Sequence, residues 1–231
     1  MPEKGKGMDR IMKQAGSEKK KFMLMLTGIL LIGMCVASYR MSGFGVDAFS
    51  CMNLGVSGFL RMSFGTWQLL INTVLLLVVW FTIRHCIGPG TVVNMVCVGY
   101  TADFLCWLFL NRIGLQVTMP LRILFLILGT LFASLGCACY MIADMGISPY
   151  DSVAFIITKY AHGKISFRFA RVMSDVVVIV IGVGFCVMAH NSIWEIVGLG
   201  TIVNACLNGP LIQFFRERIE TLLEKRKQPG E

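Results

Sequence analysis

Long apolar runs separated by short polar breaks dominate the chain. Residues 22–38 and 69–83 carry no charge at all, and the longer runs carry one charged residue or none. These lengths approach or reach the roughly 20 apolar residues that a helix needs to cross a bilayer. The pattern predicts spans at about 22–41, 64–83, 91–110, 121–143, 167–189 and 194–215.

Two shorter segments, 48–60 and 152–161, follow the first and fourth predicted spans after glycine-containing breaks. With the residues that start them, the predicted short helices are 47–60 and 149–161. Helices this short fall well below a hydrocarbon core of roughly 30 Å, and Asp47 and Asp151 beside them are costly at lipid-facing depth. Length therefore favours re-entrant or broken helices that face protein or a water-filled cavity, giving six spans. If both segments cross instead, the chain has eight spans and parallel halves.

One motif occurs twice, as GPGTVVN at 88–94 and GLGTIVN at 198–204. Gly43 aligns with Gly146, and Ser63 aligns with Ser166, which extends the similarity over both halves. We therefore predict an all-α polytopic membrane protein with two repeated three-span units in inverted orientation, each with a short broken or re-entrant helix. The segments are a basic cytoplasmic tail at 1–21, repeats at 22–112 and 119–215, and an amphipathic cytoplasmic tail at 216–231.

Composition and charge support the same class. Of the 231 residues, 56% are hydrophobic and 15% charged, against roughly a quarter charged in soluble domains. The net charge is +8, and 12 of the 21 lysine and arginine residues lie in the two tails. The positive-inside rule then predicts a multi-pass protein with both termini cytoplasmic. Its basic residues are expected to meet the lipid bilayer rather than nucleic acid.

No pattern in the chain points to catalysis, a cofactor or a metal. The nine cysteines lie mostly in apolar runs and lack zinc-site spacing, so they are expected to be buried thiols. His85, His162 and His190 lie in or near predicted loops. Phosphate-binding, nucleophile-elbow and metalloprotease motifs are all missing from the sequence. We expect a protein that is not an enzyme and needs no cofactor.

The first candidate solute-binding residues are Asp47 and Asp151, which follow the two breaks. Each could simply cap a short helix by accepting hydrogen bonds from free amide groups. Alternatively, the starts of broken helices line binding sites in membrane transporters. The sequence leaves both interpretations open.

The repeated motif supplies a second candidate set, Thr91 and Asn94 with Thr201 and Asn204. Residues three apart share a helix face, so each pair could hold neighbouring helices together or form one of two symmetry-related clamps around a solute.

A third set lies inside the predicted spans. Arg171 and Asp175 are four residues apart on one helix face, and the first half has Gln68 and Asn72 at the aligned positions. Intramembrane charges are candidates for function by default, although this pair could also neutralise itself or extend to the membrane surface. Asp103 is a further carboxylate within a predicted span and is expected to pair with a basic residue elsewhere.

The GxGTxxN span starts, the GISPYD break at 146–151 and the KISFR segment at 164–168 resemble the YczE/YyaS/YitT family of bacterial integral membrane proteins. The resemblance covers about 22–215, and the first-half break departs from it by lacking the proline. It implies a plasma-membrane location and a duplicated helical bundle, loosely described as transporter-like. It implies no catalytic residue.

We therefore hypothesise a transporter or permease for a small solute that binds between the repeats, with a coupling ion as a further possible ligand. The alternative is a non-transporting scaffold or accessory subunit of another complex. A hydrated cavity lined by Asp47, Asn94, Asp151 and Asn204 would favour transport, and a dry interior would favour the scaffold. Neither the solute nor the oligomeric state follows from the sequence.

Overall fold

The residues that the structure describes form a bundle of eight helices joined by short turns. A computed structural model describes residues 18–162 and 164–225. Its helices are α1 (Glu18–Ser42), α2 (Ala48–Leu60), α3 (Phe64–Ile83), α4 (Pro89–Cys106), α5 (Met119–Ala143), α6 (Pro149–Tyr160), α7 (Phe167–Met188) and α8 (Leu199–Lys225). A π-helical turn, Trp107–Arg112, extends α4, and 3₁₀ turns at Arg84–Cys86 and Ile193–Glu195 precede α4 and α8.

Six of these helices, α1, α3, α4, α5, α7 and α8, are long and apolar enough to cross a membrane. The two others, α2 and α6, are the short helices expected after the breaks. The part of the chain that the structure describes contains no strand. The predicted all-α polytopic fold, with three spans and one short helix in each half, is therefore confirmed.

One helix boundary departs clearly from the predictions. The second short helix begins at Pro149, as the predicted range 149–161 has it, because Ser148 caps it and a proline fits the first helical position. The last helix begins at Leu199 and continues unbroken past 215 to Lys225, so residues 216–225 prolong a span. Most of the predicted basic tail (1–17) and the end of the amphipathic tail (226–231) lie outside the described residues.

Helices α1 and α5 form the centre and run antiparallel. A Cβ on Gly28 would lie 2.8 Å from the carbonyl oxygen of Gly136, so the backbones touch there. Further along α1, Tyr39 packs on Gly129, and at its end Arg122 Nε donates to the Ser42 carbonyl at 2.7 Å. Residues later in α1 thus contact residues earlier in α5, so the two helices run in opposite directions. This direction is the one expected for inverted repeats.

The remaining spans surround this pair. Helix α4 lies along α1 and α8 lies along α5, while each short helix packs on a span of the other repeat, α2 on α7 and α6 on α3. In the apolar 18-residue stretches of α1 and α5, about half of the residues are buried (50% and 56%). The corresponding shares are 17% for α7 and 11% for α8. The apolar outer faces of α7 and α8 are what a lipid-facing helix requires.

Candidate functional site

The start of α4 docks onto the break between α5 and α6. Gly90 N donates to the Met145 carbonyl and Thr91 Oγ1 donates to the Ile147 carbonyl, both at 2.8 Å. Between these carbonyls lies Gly146, with φ at +114°, where a Cβ would come within 2.6 Å of Thr91 Oγ1. Only glycine fits this turn. The first GxGT motif therefore holds the break of the second repeat in place.

The start of α8 makes the equivalent contacts with the break between α1 and α2. Gly200 N donates to the Phe44 carbonyl at 2.6 Å, and Thr201 Oγ1 donates to the Val46 carbonyl at 2.8 Å. Gly45 lies between them with φ at +93°, and a Cβ there would lie 2.7 Å from Thr201 Oγ1. Each repeat thus secures the broken helix of the other. The hydroxyl protons of Thr91 and Thr201 are used in this docking.

These contacts correct the predicted alignment of the two breaks. Gly45, and not Gly43, is the counterpart of Gly146, because the same helix start docks on each. Gly43 has φ at +63° and corresponds to Asp144, the left-handed residue that ends α5 with φ at +49°. Two glycines close together in the first break made the sequence alignment ambiguous, and only the docking partner resolves it.

The two aspartates accordingly occupy different positions. Asp47 is the N-cap of α2, with Oδ1 accepting from Ser50 N at 3.0 Å. In the second repeat the cap is Ser148, whose Oγ accepts from Asp151 N at 3.2 Å. The expectation that both aspartates might be caps holds for Asp47 and is wrong for Asp151. The carboxylate of Asp151 is left available for another partner.

Helices α2 and α6 begin beside one another. The rings of Phe49 and Tyr150 stack with centroids 4.3 Å apart and planes inclined by 14°. Tyr150 lies in the first turn of α6 and Phe49 in the first turn of α2. The free amide groups at the two helix starts therefore face a common region.

The two short helices then diverge along α7. Helix α6 runs towards the start of α7, since Phe155 lies against Phe167 with ring centroids 4.6 Å apart. Helix α2 runs towards the end of α7, where Phe59 meets Phe185 at 5.3 Å. Two short helices thus start near the middle of one span and leave in opposite directions. This is the arrangement of paired re-entrant helices.

A charged cluster lies where they meet. Arg171 forms ion pairs with Asp151 and, at 3.5 Å, with Asp175, and its guanidinium lies 4.7 Å from the centre of the Tyr150 ring. Tyr150 donates its hydroxyl proton to Asp175 at 2.5 Å, and Ser148 donates to Asp151 at 2.8 Å. The expected Arg171–Asp175 pair is present, and the fold adds Asp151 to it. Two carboxylates therefore share one guanidinium.

The cluster is accessible from outside the protein. The side chains of Arg171, Asp151 and Asp175 are 35%, 46% and 32% exposed. The first-half counterparts of Arg171 and Asp175 are Gln68 and Asn72. Both are buried, with only 5% and 2% of their surface exposed. The alignment of these positions is supported by matching N-caps at the start of α3 and α7.

Asn204 and Asn94 lie elsewhere in the bundle. Asn204 Nδ2 donates to Tyr39 Oη at 3.4 Å and its Oδ1 accepts from Asn208 at the same distance. Asn208 Oδ1 in turn accepts from Ser134 at 3.1 Å. This chain of bonds joins α1, α5 and α8, which fits the helix-bridging role. Asn94 is buried on α4 with 8% exposure.

Asp103 has the basic partner that the sequence analysis expected, and that partner is Arg40. The two side chains lie 2.7 Å apart, and Asp103 also accepts from Gly65 N at the start of α3, again at 2.7 Å. No local pattern marks Arg40 as this partner. Phe49, Tyr150 and Arg40 are the residues near the charged groups that sequence reasoning missed.

A cavity of about 340 Å³ lies near the end of α7, and no residue of the Arg171 cluster lines it. Its lining residues are Arg40, Leu54, Cys106, Leu110, Cys186, Asn191, Ser192, Glu195 and Ile196. None of the four residues expected to line a solute cavity is among them. All nine cysteines are free, and the described residues contain no group of three or more side chains suited to a metal ion.

Comparison with known proteins identifies the family of the chain. The model of a family of unknown function (DUF6198) matches residues 19–217. The chain belongs to this family. The uncharacterized protein YyaS of Bacillus subtilis (strain 168) is 27% identical over 213 residues, covering 91% of this chain and 99% of YyaS. This confirms the resemblance to YyaS.

A second relative comes from Haemophilus influenzae (strain ATCC 51907 / DSM 11121 / KW20 / Rd). This uncharacterized protein is 24% identical over 210 residues, which is 89% of this chain and 88% of the relative. No solved structure matches the chain. Both matches extend over the two halves of this chain.

Proposed function

We propose that the protein is a transporter or permease that moves a small solute across the bacterial plasma membrane, with both termini in the cytoplasm. The observation that carries the proposal is the meeting of the α2 and α6 starts beside the Arg171 cluster. The solute binds there, between the two repeats. Nothing in this role requires a catalytic step.

Charge is the first support for this site. Ionisable groups in a span are costly, and they commonly face a bundle interior or a water-filled path. Here three such groups, Arg171, Asp151 and Asp175, lie together and are a third to nearly a half exposed. Asp47 at the α2 start adds a further carboxylate. A helix-packing role alone would be served by the neutral amides found in the other repeat.

The second support comes from the short helices. Inverted-repeat transporters commonly bind solutes where broken helices begin, because free N–H groups and helix dipoles point at the ligand. In this chain the two starts are held by the GxGT docking contacts, so Thr91 and Thr201 act as positioning residues.

Access to the site differs between the two repeats. In the first, α3 packs tightly on α4, since a Cβ on Gly99 would lie 2.8 Å from Gly65 Cα. In the second, a Cβ on Gly209, the counterpart of Gly99, would meet no described heavy atom within 4 Å. Solute therefore reaches the site along the α7–α8 side. The α3–α4 side is the closed one.

An uptake screen in proteoliposomes tests the proposal. Candidate solutes are offered with and without an imposed ion gradient, and hits are repeated with the Asp47→Asn/Asp151→Asn variant. We expect uptake by the native protein and loss of most of it in the variant, with protein content and Tm recorded for both. Undiminished flux in the variant would contradict the site.

Asp144→Asn is the matched control. It is the same chemical change at an exposed residue that ends α5, and asparagine tolerates its left-handed conformation. Its uptake should equal that of the native protein. If no solute is transported, the non-transporting scaffold gains support, and the exposed apolar faces of α7 and α8 become the surfaces to test by copurification.

A further inference from the structure

The cavity of about 340 Å³ lies between the two repeats. Arg40 near the end of α1, Leu54 on α2 and Cys106 at the end of α4 line it from the first repeat. Cys186 near the end of α7 and the connection at 191–196 line it from the second repeat. Its volume falls in the range of about 300–1,000 Å³ that is usual for small-molecule sites. The cavity is therefore large enough for a small ligand held by both repeats.

The connection before α8 forms the mouth of this cavity. Asn191, Ser192 and Glu195 line the cavity and are exposed, so it opens to the surface. The connection is also tied to the first repeat, because Val46 N donates to the Ile196 carbonyl at 3.2 Å. The polar groups at the mouth are thus carried by a segment that the fold holds in place.

Arg40 supplies a positive charge to the cavity. Its Nη1 donates to Asp103 at 2.7 Å, and its guanidinium lies 4.9 Å from the centre of the Phe64 ring. Among the described residues, the bond to Asp103 is the hydrogen bond that this guanidinium makes. A guanidinium has five N–H donors, and its planar fork suits a carboxylate. Arg40 is therefore oriented by Asp103 and Phe64 and keeps donors for a ligand.

Glu195 supplies a negative charge. No cationic side chain among the described residues lies within ion-pair distance of it. Arg40 and Glu195 are the charged residues that line the cavity, so the two charges cancel. A simple anion would lie beside Glu195 and a simple cation beside Arg40, and each would meet a like charge. The lining thus favours a ligand that carries both charges.

The rest of the lining is largely aliphatic, with Leu54, Leu110 and Ile196. We propose that this cavity binds a small zwitterion with an apolar body, of the class of the free apolar amino acids. Arg40 binds its carboxylate and Glu195 binds its ammonium group. The aliphatic side chains contact its apolar part.

This site is separate from the Arg171 cluster, since no residue of that cluster lines the cavity. One consequence rests on the proposed function. With cytoplasmic termini, α1 carries the chain outward to Arg40, so the cavity faces the outside and is where the transported solute is first bound. Binding itself can be measured whether or not a solute moves.

Calorimetric titration of the purified protein in nanodiscs provides the test. L-alanine, L-leucine, L-methionine and L-phenylalanine are the probes, and we expect at least one to bind. The tightest is then compared with two analogues that each lack one charged group. For L-leucine these are 4-methylpentanoate and 3-methylbutylamine. Each analogue should bind at least about tenfold more weakly, because one charge-assisted contact is lost.

Glu195→Gln tests the ammonium contact in the protein. It should weaken binding of the amino acid at least about fivefold, a moderate loss because the carboxylate is exposed. Binding of the analogue without the ammonium group should not fall. Glu217→Gln is the matched control, since Glu217 is an exposed carboxylate on α8 that does not line the cavity. It should keep the native affinity, and Tm is recorded for both variants.

Arg40→Gln combined with Asp103→Asn tests the carboxylate contact, because both members of the ion pair are neutralised together. This variant should bind the amino acid more weakly and the analogue without the carboxylate as before. If it does not fold, Glu195→Gln decides alone.

Absence of binding by all four amino acids would overturn the proposal, and so would equal affinity in the native protein and Glu195→Gln. Affinity that is lost in Asp47→Asn/Asp151→Asn but kept in Glu195→Gln would place the ligand at the Arg171 cluster and equally refute the cavity. Transport of a solute by a protein that binds no amino acid here leaves the proposed function standing and refutes this inference. Binding with no transport does the reverse.

Discussion

The two repeats build the same frame and place different chemistry at its centre. In the second repeat Tyr150, Arg171 and Asp175 form a bonded, partly exposed cluster. The first repeat has Phe49, Gln68 and Asn72 in the corresponding places, and there the two amides are buried with unpartnered oxygens. Since the helix starts and docking contacts match, the difference comes from the side chains alone. The two halves thus share a backbone frame and differ in the side chains at its centre.

The comparison also explains why one side of the bundle is tight and the other open. A glycine pair, Gly65 and Gly99, brings α3 onto α4, and Asp103 of α4 accepts a hydrogen bond from Gly65 N. The second repeat has Gln213 where the first has Asp103. Gln213 donates to Glu217 of its own helix instead.

The shared frame gives the largest expected effect. Gly45→Ala and Gly146→Ala should each lower the free energy of unfolding by at least about 2 kcal/mol, because alanine is strained at these φ values and its Cβ would meet the docked helix start. Thermal unfolding and the amount of membrane-inserted protein measure this. Similar losses in both variants support equivalence of the two docking contacts.

Gly184→Ala is the control for these variants. It lies within α7, and a Cβ there would meet no described heavy atom within 4 Å. Alanine favours the helix, so stability should stay the same or rise slightly. Tolerance of Gly45→Ala alone would show that the two breaks are not held alike.

The charged cluster gives an intermediate effect. Arg171→Gln leaves two carboxylates facing one another, and we expect a loss of about 2 kcal/mol. That is below the cost for a fully buried pair because the guanidinium is 35% exposed. The measurement is Tm in nanodiscs. Adding Asp151→Ser and Asp175→Asn installs the first-repeat residues and should recover most of the loss, whereas a triple variant as unstable as the single one would break the equivalence.

The smallest effect concerns the stacked rings. Tyr150→Phe keeps the stack on Phe49 and removes the bond to Asp175, so we expect a loss of about 1 kcal/mol. The reciprocal Phe49→Tyr places a donor on the first-repeat side, where Asn72 has an unpartnered oxygen. It should gain about 0.5 kcal/mol, and a clear loss in Tm would indicate that the two ring positions are not equivalent.

Much of the helix plan could be predicted from the sequence, because span length and apolar periodicity are local properties. The first short helix was predicted with its observed bounds, Ala48–Leu60. The second was predicted to begin at Pro149, as observed, because a serine followed by a proline is typical of a helix start. The counterpart of Gly146 was missed, since Gly43 and Gly45 both fit a break.

The candidate site was only partly predictable. Arg171 and Asp175 share a helix face, so their pairing follows from spacing alone. Asp151 joins them, and Tyr150 stacks on Phe49, only because α6 folds back along α7. Thr91 and Thr201 fit either role in the sequence, and the hydrogen bonds across the repeats show the structural one.

The sequence by itself indicated an all-α membrane protein with six long apolar helices and a short helix in each half, since hydropathy and length are local properties of the chain. Only the tertiary structure decided which break each GxGT motif holds, which residue neutralises Asp103, and that α2 and α6 start face to face. Those contacts join residues far apart in the chain, and they exist because two inverted repeats pack around the α1–α5 pair.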